Sequence, residues 1–294
     1  MKNLIVNADD LGWTDGVNRG ILDAFHGGIV TSASLLANGP AFAEAVKATK
    51  VAPRMGVGVH LNLSDGAPVA DRESVTSLLD DEGNLAYGPE SLLLRRARRK
   101  LVLDEVEEEW DAQIQKVRDA GVRPTHLDGH KHVHMLPGLF DIALRLAKSH
   151  GIEAIRVSLE ESTLRAALSS GAKQNRGVVL KQGAQARGLK LLARDARERA
   201  RRAGVATADH FCGIAQTGEL TMEGVERLLK NLPEGTTEFM CHPGYVDEAL
   251  QKSATRLRAS RQKELEILTD TRIRNLVASQ GIRLIDYGFV SQEA

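Results

Sequence analysis

The chain of 294 residues is 42% hydrophobic, 27% charged and 4% aromatic, an ordinary globular make-up that excludes disorder as its main theme. Its 39 Lys and Arg balance 39 Asp and Glu, so no net field recommends nucleic acid or anionic lipid as a partner. Two cysteines, Cys212 and Cys241, are too few for a disulfide framework or a structural thiolate metal site, and no apolar stretch approaches the roughly 20 residues that cross a bilayer.

The N-terminal segment MKNLIVNADDLG turns acidic too soon for a secretory signal, so a reducing, cytoplasmic setting is expected. Short apolar runs then alternate with segments of helical period, the pattern of repeated βα units. A strand over Leu4–Val6 ends at Asn7, Asp9 and Asp10, and a helix over Val17–Phe25 stops at Gly27 and Gly28. The second strand covers about Ile29–Leu36, and Pro40, suited to a first helical turn, opens a helix through Val46 and Ala48. Met55–Leu63 reads as the third strand; it carries His60 near its end, and its two glycines suggest a bend or a close backbone approach. Residues 64–90 form a loop long enough to serve a site. From Ser91 to Ala120 the period is helical, and the basic run Arg95–Lys100 followed by the acidic run Asp104–Glu109 reads as a solvated, ion-paired face.

A strand at Thr125–Asp128 flows into GHKHVHMLPG, a helix from Pro137 ends near His150, and Ile152–Val157 is a further strand ending around Arg156. The Arg- and Ala-rich stretch 160–204 reads as a helical insertion with no chemistry of its own. Strands at Ala208–Ile214, Thr237–Met240 and Ile282–Ile285 follow, with helices from Thr221 through Leu229 and over Ser253–Ser279. The order predicts an α/β, single-domain, distorted TIM-like (β/α) barrel of about seven or eight mostly parallel strands, with a doubly wound open sheet as the second choice.

Ligand-capable residues fall at the C-terminal ends of these strands: Asp9 and Asp10, His60, the histidines from 126 to 134, Arg156 and His242. In a parallel α/β fold those ends converge on one face, so segments far apart in sequence meet there. His126, Asp128, His130, His132 and His134 are spaced by two and would share one side of an extended strand. At about 3.3 Å per residue, His126 and His134 would then lie roughly 26 Å apart, so only one or two can hold a given ion unless the chain curls. Gly129 and Leu136-Pro137-Gly138 place the start of such a curl near His130.

Adjacent carboxylates behind a buried strand are costly unless a cation compensates them; with one bound, the other can serve as a base. Each of these residues has an ordinary reading, a core histidine or a helix cap, and it is their concentration that favours a site. One carboxylate and two imidazoles leave open positions for water and substrate, the layout of a hydrolytic metal centre. His242, in CHPGY, is a candidate proton donor, and Arg156 a candidate partner that keeps Asp9 ionised. Neither a Gly-rich phosphate loop nor a GxSxG elbow occurs, which argues against an NTPase or a serine esterase.

Taken together, NADDLG, TSASLLANG, GVHLNL, HLDGHKHVHMLP and CHPGY resemble the YdjC-like carbohydrate deacetylases, the group that includes chitooligosaccharide deacetylase. The likeness runs from residue 3 to about 158 and again from about 205 to 290. It implies a TIM-like barrel, one divalent metal ion, and removal of acetyl groups from N-acetylated sugars. By motif it makes Asp10, His60 and His130 the metal ligands and Asp9 the general base, with His242 or one of the His126–His134 group protonating the leaving amine. Gly129 stands where the family's motif has serine. The resemblance implies magnesium, whereas two imidazoles suit Zn, Co or Fe better. Two rival readings are a metal-dependent phosphoesterase and a catalytically silent protein that binds N-acetylated sugars; if the chain oligomerises, a homodimer is expected.

Overall fold

The computed structural model describes residues 1–168 and 195–293. Its centre is β1 (Lys2–Leu11), whose Leu4, Ile5, Val6, Ala8 and Leu11 are wholly buried. A strand covered on both faces has no need to alternate polar and apolar residues, which is why this one reads as a continuous apolar run. One edge of β1 pairs with β6 (Gly235–Cys241); β2 (Ser32–Leu35) and β7 (Arg283–Leu284) pair with its C-terminal and N-terminal parts. The sheet continues through β3 (Gly56–Leu61) to β4 (Leu127–Gly129) on one side and through β6 to β5 (His210–Cys212) on the other, and all these pairings are parallel.

The order β4-β3-β2-β1-β6-β5 is that of a curled barrel sheet: strands follow one another in chain order, and the first lies beside one of the last. A doubly wound sheet would instead reverse direction part-way, so the second choice is set aside. Between β4 and β5 the place of a strand is taken by residues 154–160. Single parallel bridges join Ile155 to Leu127 and Glu160 to Phe211, with Ala154 bridged to Ala206. The strand expected over 152–157 is thus reduced to isolated bridges. β4 is only three residues long, and the chain turns left-handed soon after it, at Lys131 and His132.

Helices cover the sheet. Thr14 caps α1 (Asp15–Gly27) by accepting a hydrogen bond from the Val17 N–H, and α1 packs against α2 (Phe42–Val51) and, from the far end of the chain, α10 (Ala259–Thr269). The helix expected over 91–120 is two, α3 (Pro89–Ala97) and α4 (Leu103–Asp119), separated by a turn in which Arg99 has φ 55°. Its acidic run is not wholly a solvated face. Glu109 and, one turn on, Gln113 are 0% exposed, because they face the loop after β3 and supply its backbone with partners. That loop is packed down by Val75, Leu78 and Leu85, all buried.

After α5 (Leu139–Ser149) come α6 (Ser162–Leu168) and α7, the helical residues 195–203. The centre of the expected insertion, residues 169–194, lies outside the described residues. The remaining helices are α8 (Met222–Lys230), α9 (Glu248–Lys252), α11 (Thr271–Ser279) and α12 (Tyr287–Glu293), so the helical stretch expected over 253–279 is divided into α10 and α11 and begins only at Ala259. No helix among the described residues is long and apolar enough to cross a membrane.

Candidate metal centre

Consecutive residues of a strand point to opposite faces, yet Asp9 and Asp10 both reach the same site. The pairing of β1 with β2 shifts register between Ala8 and Leu11, and Asp10 takes φ 71°, a left-handed conformation uncommon for a non-glycine residue. The irregularity turns the second carboxylate inward. Strain of this kind persists where surrounding contacts enforce it, and here the Asp10 carbonyl accepts the Trp13 N–H while Asn18 accepts that of Gly12.

Asp10, His60 and His130 offer ligand atoms that all lie within 4.8 Å of one another. Asp10 Oδ1 is 2.9 Å from His130 Nδ1 and 3.6 Å from His60 Nε2. That oxygen is buried and takes part in no aligned hydrogen bond, its nearest charged neighbour being the His130 imidazole. The donor set fits a divalent ion. Each of the three side chains is also held from behind by a charged partner. Arg261 bonds Asp10 Oδ2; Asp128 Oδ1 lies 2.7 Å from His60 Nδ1; Asp65 Oδ2 lies 3.3 Å from His130 Nε2. Partners on the far ring nitrogen fix the tautomer and orientation of a ligating histidine.

Charge is tuned accordingly. Burial pushes the Asp10 carboxyl up, but Arg261 and His130 outweigh it and hold Asp10 well below the usual carboxylate range. Burial pulls the His130 imidazole down, and Asp10 and Asp65 reverse this, raising it to about 9. Asp9, Asp128 and Glu238 surround Arg156, which is itself 0% exposed. Its guanidinium lies 2.7–2.8 Å from oxygens of all three. Against the cost of burial, this arginine lowers the pKa of Asp9 and holds that of Asp128 far down. Glu238, where burial prevails, rises to about 7 and takes the Tyr287 hydroxyl as a donor. Asp9, His60 and Asp128 also approach one another within 4.8 Å, but there Arg156 already supplies the positive charge.

The structure brings all six sequence-predicted residues together: Asp9, Asp10, His60, His130 and His242 line one cavity of about 440 Å³, and Arg156 lies behind Asp9. The histidine cluster is divided by the curl at Lys131 (φ 52°) and His132 (φ 58°). His130 and His132 face the cavity. His126 and His134 do not: His126 is stacked on Tyr287 at 4.0 Å between ring centres, and His134 Nε2 donates to the Arg156 carbonyl at 3.1 Å. Both are wholly buried, and burial lowers each to about 4. The glycines of β3 make room for side chains rather than for backbone: a Cβ on Gly58 would fall 2.4 Å from the His126 ring. At Gly129 a Cβ would stand 2.6 Å from His134 Nδ1 and 3.0 Å from the His134 backbone nitrogen.

Burial lowers His242 to about 4, so its imidazole is neutral near pH 7. Its backbone N–H is fixed by Glu264 at 2.6 Å. Sequence reasoning missed Arg261, Glu264, Asp65, Glu238 and Tyr287 as parts of this centre. Arg261 and Glu264 are three apart on α10 and so share a face, but Asp10 lies 251 positions from Arg261, and no local pattern links them.

The family model described as YdjC-like protein matches residues 3–279. A carbohydrate deacetylase of Geobacillus stearothermophilus is 34% identical over 284 residues, 96% of each chain. A chitooligosaccharide deacetylase of Salmonella typhimurium is 32% identical, over 95% of this chain and 96% of its own. Among solved structures, a protein of Enterococcus faecalis V583, described provisionally as a cellobiose-phosphate cleavage protein, is 30% identical with a TM-score of 0.77 and 97% of both chains covered.

Proposed function

Because the chain belongs to the family of YdjC-like proteins, we propose that it hydrolyses the acetamide of an N-acetylated sugar of the chitooligosaccharide kind. Asp10, His60 and His130 would hold a divalent cation in this reading. The observation that carries it is Asp10 Oδ1, buried without an aligned hydrogen bond and 2.9 and 3.6 Å from the imidazoles of His130 and His60, in a cavity that a second, ionised carboxylate also lines. One oxygen and two nitrogen donors favour Zn²⁺, Co²⁺ or Fe²⁺ over Mg²⁺, which prefers oxygen throughout.

When bound, the cation supplies Lewis acidity toward the amide carbonyl and toward water. Asp9 is the general base. Two bonds from Arg156 keep it ionised and fix its orientation, so it takes the proton of the attacking water without first losing one of its own. The leaving amine nitrogen needs a proton, and His242, neutral in the resting protein and in the same cavity, is assigned to relay to it the proton that Asp9 takes from the water. Trp13, 5.4 Å from the His130 ring, offers an apolar wall against which a sugar ring can lie.

The test is acetate release from N,N′-diacetylchitobiose by the full chain, metal-free and with Zn²⁺, Co²⁺, Fe²⁺ or Mg²⁺ added in turn. Metal-restored release supports the reading. Binding of the sugar without acetate under every condition refutes it in favour of a silent sugar-binding protein, and turnover of phosphate esters alone in favour of a phosphoesterase.

A further inference from the structure

Asp65 lies in the loop after β3, and nothing in the reaction described above uses it. Its Oδ2 stands 3.3 Å from His130 Nε2, the ring nitrogen opposite the one that faces Asp10, and 2.5 Å from Lys131 Nζ. A loop carboxylate is ordinarily free to swing, but this loop is fastened by buried polar groups. The Asp65 carbonyl accepts from Asn38 Nδ2 at 2.8 Å and from Asn62 Nδ2 at 2.7 Å. Asn62 exchanges two backbone bonds with the Gln113 side chain, and Glu109 takes the N–H groups of Val69 and Ala70. Asn62, Glu109 and Gln113 are almost wholly buried, and polar groups in such surroundings are expensive to leave unpaired. They therefore hold the loop in one place.

We propose that Asp65 is a positioning residue for the metal ligand His130, and that the buried clamp of Glu109 and Gln113 on α4 with Asn62, the residue after β3, keeps it aimed. The inference rests on the metal reading above. With its far nitrogen donating to Asp65, the deprotonated imidazole would present the lone pair of its near nitrogen to the cation; without Asp65 the ring is free to flip or to take the other tautomer.

The experiment measures Co²⁺ and Zn²⁺ affinity of the full chain by chelator competition, together with the visible spectrum of the Co²⁺ form. Asp65→Ala is expected to weaken binding about 10- to 100-fold and to alter the Co²⁺ spectrum, and Asp65→Asn, which keeps an acceptor oxygen, to recover part of the loss. Lys131→Met is expected to stay within about threefold of the parent, since the imidazole contact and not the surface ion pair carries the effect. An unchanged affinity and spectrum in Asp65→Ala overturns the proposal, as does an equal loss in Lys131→Met. Absence of metal binding by the unsubstituted chain overturns the metal reading itself, a result distinct from either.

Discussion

Arg156 and Asp9, 147 positions apart, form a two-bond ion pair at 2.7 and 2.8 Å with neither side chain exposed beyond 4%. The pair divides the two adjacent carboxylates of β1 between two arginines: Arg156 holds Asp9, and Arg261 holds Asp10 by its outer oxygen. In the proposed reaction this leaves Asp10 Oδ1 to a cation and Asp9 to serve as an ionised base.

This division predicts different losses from different substitutions. Asp9→Asn should lower kcat by about 10²- to 10⁴-fold, the usual worth of a general base, and leave metal content unchanged by elemental analysis. His130→Ala should lose both metal and turnover. Equal metal loss in the two variants contradicts the assignment.

Removing the central cation should be felt in the fold itself. Arg156→Met leaves Asp9, Asp128 and Glu238 buried without their shared partner, and breaking a buried pair in this way costs about 3–5 kcal/mol. Urea unfolding of the two proteins measures the difference; a change below about 1 kcal/mol would falsify the view that this guanidinium neutralises the cluster.

Metal affinity should rise with pH. In the metal-free protein His130 titrates at about 9, and a cation at Nδ1 must displace that proton. Affinity should therefore climb about tenfold per pH unit below 9 and level off above it, because one proton is released per ion bound. Calorimetry in buffers of different ionisation enthalpy counts that proton; binding with no proton release at pH 7.5 contradicts the prediction.

The buried histidines should make the protein acid-sensitive between about pH 6.5 and 4. His126 and His134 are held down to about 4, whereas in an unfolded chain each titrates at about 6.5. The unfolded state thus takes up protons that the native state refuses. Their contribution is complete above pH 6.5 and disappears as pH falls toward 4, up to about 3 kcal/mol for each. Melting in the presence of chelator should show Tm falling through this window, less steeply in His126→Gln; equal slopes for parent and variant would remove His126 from the account.

Gly129 is placed where a side chain must move its neighbours. A methyl there meets the His134 backbone nitrogen at 3.0 Å and its ring at 2.6 Å, so Gly129→Ala should cost about 1–3 kcal/mol and displace the turn that carries His130. Thermal unfolding and metal affinity measured together test this, and a variant equal to the parent in both refutes it.

Much of the centre was legible without coordinates. Apolar runs that end in Asp, His or Arg mark strand ends of a parallel sheet, and the parallel arrangement brings the segments that carry Asp9, Asp10, His60, His130, Arg156 and His242 to one face. The apolar run at 152–157 resembles a strand because packing buries its residues, whereas a regular strand also needs neighbours long enough to pair with it. Glu109 is indistinguishable by charge from its solvent-facing acidic neighbours, and charge alone does not reveal that two backbone N–H groups meet it.

By itself, then, the order of residues determined the alternation of strands and helices and the chemical types gathered at the strand ends, because periodicity and turn residues act over a few positions. Which histidines face the cavity, and what holds them, only the tertiary structure decided. His130 and His134 part company through two left-handed residues at 131 and 132, and the groups that aim the ligands arrive from distant elements: Asp65 from a clamped loop, Arg261 from α10 and Asp128 from β4. Such pairings depend on distances across the barrel, and no spacing along the chain encodes those.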